Sequence, residues 1–132
     1  MNERGSMLPY LGALFFVGFV LLGLTLDVAL LAATYREAAV AADAGAEAGA
    51  AYVEMATLYA GDRRIDALTA IDAAERASLA VQPRAGRTVA AATDGFEVCV
   101  VVTDRYEPRI LGSVGIGGEG IAVRACATPG QG

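Results

Sequence analysis

An uncharged segment near the N-terminus constrains this chain more than any other feature. Residues 5–26 read GSMLPYLGALFFVGFVLLGLTL and carry no charged side chain over 22 positions. About 20 apolar residues form a helix long enough to cross the hydrocarbon core of a bilayer, and such a run is seldom the core helix of a soluble protein. The segment predicts a membrane-spanning helix, so the rest of the chain is either tethered to a membrane or released from one.

The size and charge of the chain limit what that remainder does. Of 132 residues, roughly one hundred follow the apolar segment, enough for one small domain. The net charge is −5, the isoelectric point is near 4.6, and every basic residue is arginine. Binding to nucleic acid requires a basic surface that releases counterions from phosphates, so no nucleic-acid partner is expected.

The inventory of reactive side chains is short. Histidine and tryptophan are absent and there are two cysteines, so neither a zinc site nor a histidine-activated nucleophile is expected. Asp104 and Glu107 form an acidic pair of a kind that fifteen acids in so short a chain produce by chance. The segment GIGGEG at 115–120 lacks the lysine and the following helix of a phosphate loop, and we interpret it as a flexible turn. We predict no enzyme activity, no cofactor, no metal and no small-molecule substrate.

The apolar segment continues into an alanine-rich helical pattern. Pro9 suits the first turn of a helix, and the next proline is Pro83. Alanine is the best helix former, which predicts one long helix that leaves the membrane and continues outside it. We therefore divide the chain into a cytoplasmic leader, a transmembrane part of the helix, an extracytoplasmic part, a small α+β domain and a flexible tail, at 1–7, 8–34, 35–60, 62–128 and 129–132.

The extracytoplasmic part of that helix has two opposite stripes. One is charged and holds Arg36, Asp43, Glu47 and Glu54, and the other is small and holds Ala38, Ala41, Gly45, Gly49, Tyr52 and Ala56. A stripe of glycine and alanine allows a partner backbone to approach very closely. Either this stripe packs on the chain's own domain, or it packs against a helix of another subunit. On the second interpretation, leucine at Gly45 or Gly49 abolishes subunit pairing while leucine at Glu47 does little.

Glycine and a change of period mark the remaining elements. Gly61 and Asp62 predict the start of a second helix at 62, with Ile65, Leu68, Ile71 and Leu79 on one side. Beyond 88 the apolar residues alternate, and Asp94-Gly95 is a strong hairpin signal. Val98, Val100 and Val102 form the apolar phase of one strand, and a later strand covers 121–128. The fold class is therefore α+β, with a small antiparallel sheet of three strands covered by a long and a short helix.

Two cysteines share the outward phase of their strands. Cys99 and Cys126 lie on the same face of the sheet and can pair if the strands are neighbours in the right register. We predict a disulfide between them, because the domain is expected in an oxidising compartment outside the cell. The alternative is two unpaired, half-buried thiols.

One carboxylate lies at the end of the apolar run. Asp27 is about 29 Å along the helix from Leu8, near the outer edge of a hydrocarbon core that is about 30 Å thick. It is either a solvated boundary residue or a buried contact with a neighbouring subunit. Gly23, one turn earlier, would let such a neighbour come close.

Three features of the chain occur together in a known order. RGS precedes the hydrophobic helix, AADAGAEAGAA follows it, and ILGSVGIGGEGIAVRACATP lies near the C-terminus. In this the chain resembles the TadE/TadG-like minor pilins, or pseudopilins, of tight-adherence (Flp-type) pilus systems, in the short form of high-GC Gram-positive bacteria. The resemblance implies a type IV pilin-like membrane subunit that helps initiate, prime or cap a pilus used in adhesion or secretion. Its implied partners are the bilayer, other pilin or pseudopilin subunits and the polytopic platform proteins of the machine.

The resemblance also implies a processing site. Family members cut by a prepilin peptidase carry glycine before the cut and glutamate at the fifth position after it. A cut between Gly5 and Ser6 would place Tyr10 fifth, so this chain lacks the glutamate. The short leader and long distal part favour an N-terminus inside and a C-terminal domain outside the cytoplasmic membrane.

Two other functional classes remain open. A small interaction domain could be exported by an ordinary signal peptide, with Ala32 and Ala33 offering the small side chains that such a cut requires. A membrane-anchored enzyme ranks last, because no convergent polar groups are recognisable. Neighbouring genes for a secretion ATPase and two polytopic membrane proteins would favour the pilus subunit.

Overall fold

A computed structural model describes residues 7–130, apart from the side chains of Leu8 and Val114. Three α-helices lie at α1 Met7–Ala50, α2 Met55–Tyr59 and α3 Ala67–Ala80. The strands are β1 Thr88–Thr93, β2 Val98–Tyr106 and β3 Glu119–Ala127, with a short 3₁₀ helix, Leu111–Val114, before the last strand. The predicted α+β class is confirmed.

The three strands form an antiparallel meander in the order β1-β2-β3. The β1–β2 turn contains the predicted Asp94-Gly95, and Gly95 has a φ of 92°, which a side chain would disfavour. The Asp94 carboxylate accepts hydrogen bonds of 2.9 Å from the backbone N–H groups of Phe96 and Glu97. These bonds hold the pKa of Asp94 below its ordinary value and fix the turn.

The core lies between one face of this sheet and the two longer helices. Val98, Val100 and Val102 are fully buried, which confirms the apolar phase predicted for β2. The helices contribute mainly small side chains to the core, namely Ala38, Ala41, Ala42, Ala46, Ala70 and Ala74. Because these residues are small, α1 and α3 pack closely, and the second half of α1 belongs to the same core as the sheet.

The long helix is shorter than predicted. It ends at Ala50 rather than at residue 60, and α3 begins at Ala67 rather than at 62. Between them Val53 and Ile65 form an antiparallel bridge, flanked by backbone hydrogen bonds from Glu54 to Arg64 and from Asp66 to Tyr52. Because an extended backbone cannot also be helical, this bridge interrupts the pattern that the alanine-rich sequence would otherwise continue.

The buried face of α3 also differs from the prediction. Ile65, which precedes α3, is buried in the core and Ile71 is half-buried, as predicted, but Leu68 is 85% exposed and Leu79 is 48% exposed. The residues that α3 buries are Ala70, Ala73, Ala74 and Ser78. The physical reason is that α3 lies against the glycines of α1, where only small side chains fit.

Candidate functional site: the junction of the long helix with the sheet domain

A buried carboxylate joins the apolar half of α1 to the domain. Asp27 is only 3% exposed. Its Oδ1 accepts a hydrogen bond of 3.1 Å from the backbone N–H of Arg109, and its Oδ2 accepts bonds of 3.2 Å and 2.8 Å from those of Ile110 and Leu111. These N–H groups lie at the start of the 3₁₀ helix, where no partner within the helix is available. Asp27 therefore caps that helix from a distant part of the chain.

A tyrosine from the sheet completes the junction. Tyr106 ends β2 in the buried phase of the strand, and its hydroxyl donates a hydrogen bond of 2.8 Å to the backbone carbonyl of Asp27. Burial, and then the negative charge of Asp27, raises the pKa of the Tyr106 hydroxyl above its ordinary value. The hydroxyl therefore stays neutral and can donate.

A glycine makes room for the loop. A Cβ atom on Gly23 would lie 2.8 Å from Cγ2 of Ile110, so glycine allows the Ile110 side chain to touch the helix backbone. Of the two alternatives for Asp27, the solvated boundary residue is wrong, because Asp27 is buried. The contacts that bury it, and the close neighbour of Gly23, belong to its own chain.

The small stripe of α1 likewise packs within the chain. A Cβ atom on Gly45 would lie 2.8 Å from the carbonyl oxygen of Ala74, and one on Gly49 would lie 2.8 Å from Cγ1 of Val98. Of the two interpretations of this stripe, packing on the chain's own domain is correct along this length. The opposite stripe is exposed at Arg36, Asp43 and Glu47, as predicted.

The two cysteines form the predicted disulfide. Cys99 on β2 is directly opposite Cys126 on β3 in the ladder, and their sulfur atoms are bonded. Glu97 lies close to both sulfurs. Because the sulfurs are bonded to each other, neither is a thiolate that could bind a metal here. The bond instead cross-links β2, which ends at Tyr106, to β3, and the loop that contacts Asp27 lies between these two strands.

A buried ion pair escaped the sequence analysis. Arg87 donates hydrogen bonds of 2.9 Å and 2.7 Å to the carboxylate of Asp104, and both side chains are 1% exposed. These bonds raise the pKa of Arg87. Two further bonds join Arg87 to the carbonyl oxygens of Val81 and Gln82, so the pair ties the end of α3 to the middle strand. The sequence contained one indication of this burial. Asp104 follows Val98, Val100 and Val102 at even spacing, so the alternation of the strand places it on the same buried face.

On the N-terminal side of the junction, α1 is apolar and is not covered by the domain, and we call this part of the helix bare. Its most apolar stretch has a mean hydropathy of 2.5 and meets the length and composition of a membrane span. Large side chains are exposed on all sides of it, including Tyr10, Phe15, Phe16, Phe19 and Leu22. The domain contacts the helix from Gly23 onward, eleven residues before the predicted end of the membrane span at residue 34. The proposed processing residues, Gly5 and Ser6, lie outside the described part of the chain.

The polar groups of the junction bond to one another, so the junction fixes α1 to the sheet domain. The apolar half of α1 makes none of these contacts and stays exposed. No protein-family model, curated protein or solved structure matches this chain.

Proposed function

We propose that the chain is a non-enzymatic, single-pass membrane subunit that helps initiate, prime or cap a tight-adherence, type IV-like pilus. In this proposal the N-terminus lies in the cytoplasm, the bare part of α1 crosses the membrane, and the disulfide-linked domain lies outside. The resemblance to TadE/TadG-like minor pilins suggests the pilus system, and the way α1 packs on the domain supports a subunit of this kind.

The observation that carries the proposal is the division of α1 into two halves. Met7–Ala50 is one continuous helix, bare and apolar up to Leu22 and docked on the domain from Gly23. A subunit that moves from a bilayer into a helical bundle needs an apolar rod that suits both surroundings. It also needs a domain fixed rigidly to that rod, so that pulling on one moves the other. Two contacts supply that rigid connection. Asp27 caps the 3₁₀ helix of the domain, and Gly45 and Gly49 pack closely against α3 and the sheet.

The contacts at the junction favour a retained helix over a cleaved signal peptide. A cut near Ala32 or Ala33 would remove Gly23 and Asp27 from the domain. The backbone N–H groups of Ile110 and Leu111 would then exchange a carboxylate acceptor for water, which loses the net stability that hydrogen bonds to a charged group contribute. A signal peptide has no need of such contacts with the domain that it exports.

Mass spectrometry of the protein from its own membranes, with protease shaving of intact cells, tests retention and orientation. We expect a species that still contains Asp27 and a C-terminal domain that external protease reaches. A soluble species that begins after Ala32 or Ala33 would contradict the proposal and favour the exported domain.

Photocrosslinking tests the pilus assignment. A photoreactive phenylalanine analogue at Phe16, in the bare half of α1, is expected to crosslink to other pilin-like subunits during assembly. The same analogue at Phe96, an equally apolar and 51% exposed residue at the far end of the domain, is the matched control. Normal piliation in a strain that lacks the protein, together with no crosslinked subunit at Phe16, would refute the assignment.

A further inference from the structure

The loop between β2 and β3 has an unusual composition for a surface segment. Residues 110–118 read ILGSVGIGG, nine uncharged positions between Arg109 and Glu119. We call this segment the junction loop. Ile116 is 52% exposed and borders a largely apolar groove that Val28, Leu31 and Glu119 also line. A lone exposed isoleucine is common on protein surfaces, so it is the depth of the loop beside α1 that indicates surroundings other than water.

The depth of the loop relative to the helix can be estimated from its contact with Gly23. From Met7 to Leu26 the uncharged part of α1 is about 30 Å long, which equals the thickness of a hydrocarbon core. Gly23 lies one turn inside the end of that run, about 6 Å below the level of Asp27. Because Ile110 touches Gly23, a helix that spans the core with its whole uncharged run carries Ile110 to the hydrocarbon edge.

The opposite geometry leaves the span too short. If the junction loop stays clear of the bilayer, the span has to end before Gly23. Counted from Met7, where the described helix begins, the part to Leu22 is then about 24 Å long, some 6 Å less than the hydrocarbon core. A short span requires local thinning of the bilayer, which costs free energy. Immersing the loop removes this mismatch.

Several backbone N–H groups of the loop are paired within the protein, which lowers the cost of entering the interface. In lipid, backbone N–H groups must be paired within the protein. Asp27 pairs those of Ile110 and Leu111, while Ser113, Gly115 and Ile116 donate to carbonyl oxygens of the same loop. The neighbouring charged residue Arg109 borders a depression with Leu30, Ala33 and Thr34, up to two turns beyond Asp27 on the side away from the membrane.

From these observations we infer that the junction loop is a lipid-contacting surface, which rests beside α1 where the acyl chains meet the headgroups. The domain therefore sits directly on the bilayer, and Asp27 allows the loop to enter by pairing its N–H groups. The inference rests on the membrane anchoring proposed above, and the bilayer is the partner that it names.

The absence of tryptophan from the sequence makes single tryptophan variants clean reporters. The full chain is reconstituted in phosphatidylcholine vesicles without brominated lipid, or with lipids brominated at one of two depths: near the carbonyl end of the acyl chains, the level of the junction loop, or near their methyl end, the level of Phe16 in the middle of the span. Ile116→Trp reports on the junction loop. Phe96→Trp is the matched control, because Phe96 is exposed to the same degree but lies in the β1–β2 turn, at the opposite end of β2 from Tyr106. Phe16→Trp reports on the anchor itself.

We expect lipid brominated at the corresponding depth to remove most of the emission of the Phe16→Trp and Ile116→Trp variants, with blue-shifted spectra, and neither brominated lipid to change that of Phe96→Trp. Quenching of Phe16→Trp without quenching of Ile116→Trp would overturn the inference and leave the anchor intact. No quenching of either would contradict the anchoring too. Blue-shifted but unquenched emission from Ile116→Trp would indicate a protein partner on the loop, and would also overturn the inference.

Folding of each variant is checked by circular dichroism and by the mass of its intact disulfide. If Ile116→Trp does not fold, Ser113→Trp takes its place, because Ser113 is exposed in the same loop. The expected quenching and the overturning result are the same for this second reporter.

Discussion

The Oδ2 atom of Asp27 accepts a hydrogen bond of 2.8 Å from the backbone N–H of Leu111, 84 residues later in the chain. This bond makes a carboxylate near the predicted membrane boundary part of the domain's own structure. It also links the apolar half of α1 to the strands that the disulfide cross-links. The first prediction concerns this bond.

Asp27→Ala is expected to loosen the junction loop, because three backbone N–H groups lose their acceptor. Hydrogen exchange at Arg109, Ile110 and Leu111 should become about tenfold faster, the change that loss of one ordinary hydrogen bond gives. Asp43→Ala is the control, since Asp43 is exposed on the same helix. Equal exchange in both variants would show that Asp27 does not hold the loop.

Leucine at Gly45 or Gly49 is expected to destabilise the domain itself, because each position faces the backbone of α3. Overpacking of this kind typically costs about 1–3 kcal/mol of unfolding free energy. Glu47→Leu, on the exposed side of the same turn, should change it by no more than about 0.5 kcal/mol. Urea unfolding in detergent micelles measures the difference. Full stability combined with loss of subunit pairing would instead favour packing between subunits.

Removal of the disulfide is expected to cost about 3–4 kcal/mol of unfolding free energy in the chain-entropy model, since 27 residues separate Cys99 from Cys126. The double variant Cys99→Ala/Cys126→Ala, compared with the wild type under non-reducing conditions, gives the value. Mass spectrometry of the native protein should find a crosslinked peptide and a loss of two hydrogens. Alkylation of both cysteines without reductant would contradict the pairing.

The buried ion pair predicts a strongly non-additive double-mutant cycle. Arg87→Met leaves the carboxylate of Asp104 buried without its partner, which should cost about 3–5 kcal/mol. Arg87→Met/Asp104→Leu removes both charges and should cost clearly less than the sum of the single changes. Additive costs would show that the two side chains do not depend on each other.

Tyr106 is expected to lose its proton at a higher pH than an ordinary tyrosine does. Burial raises its pKa above the ordinary value of 10.0. A raised pKa means that the tyrosine's contribution to stability is fully present below the ordinary pKa and is lost as the pH rises through the folded pKa. An ultraviolet titration of the wild type and of Tyr106→Phe checks this, because the difference between the two curves isolates the Tyr106 step, which should lie above the ordinary pKa. An unchanged titration curve would contradict the burial of Tyr106.

The sequence by itself determined the buried faces of β2 and of the second half of α1, although not that of α3. The alternation at Val98, Val100 and Val102 predicted the inner face of β2, and the same phase placed Cys99 and Cys126 on one outer surface. The spacing of Gly45 and Gly49 predicted a close contact. These features are periodic. The direction of each side chain follows from its position in a helix or strand, so a periodic pattern of apolar or small residues predicts which face is buried.

Tertiary structure decided what covers those faces and where the elements end. The alanine-rich pattern does not end at Ala50, and α1 stops there because Val53 pairs with Ile65. The partner of Gly49 is Val98 and that of Gly23 is Ile110, contacts that a one-dimensional pattern does not specify. Asp27 looked like a membrane-boundary residue because its hydrogen-bond partners are backbone groups more than 80 residues away. A backbone N–H is the same in almost every residue, so no side-chain pattern marks it as a partner until the folded chain brings it within reach.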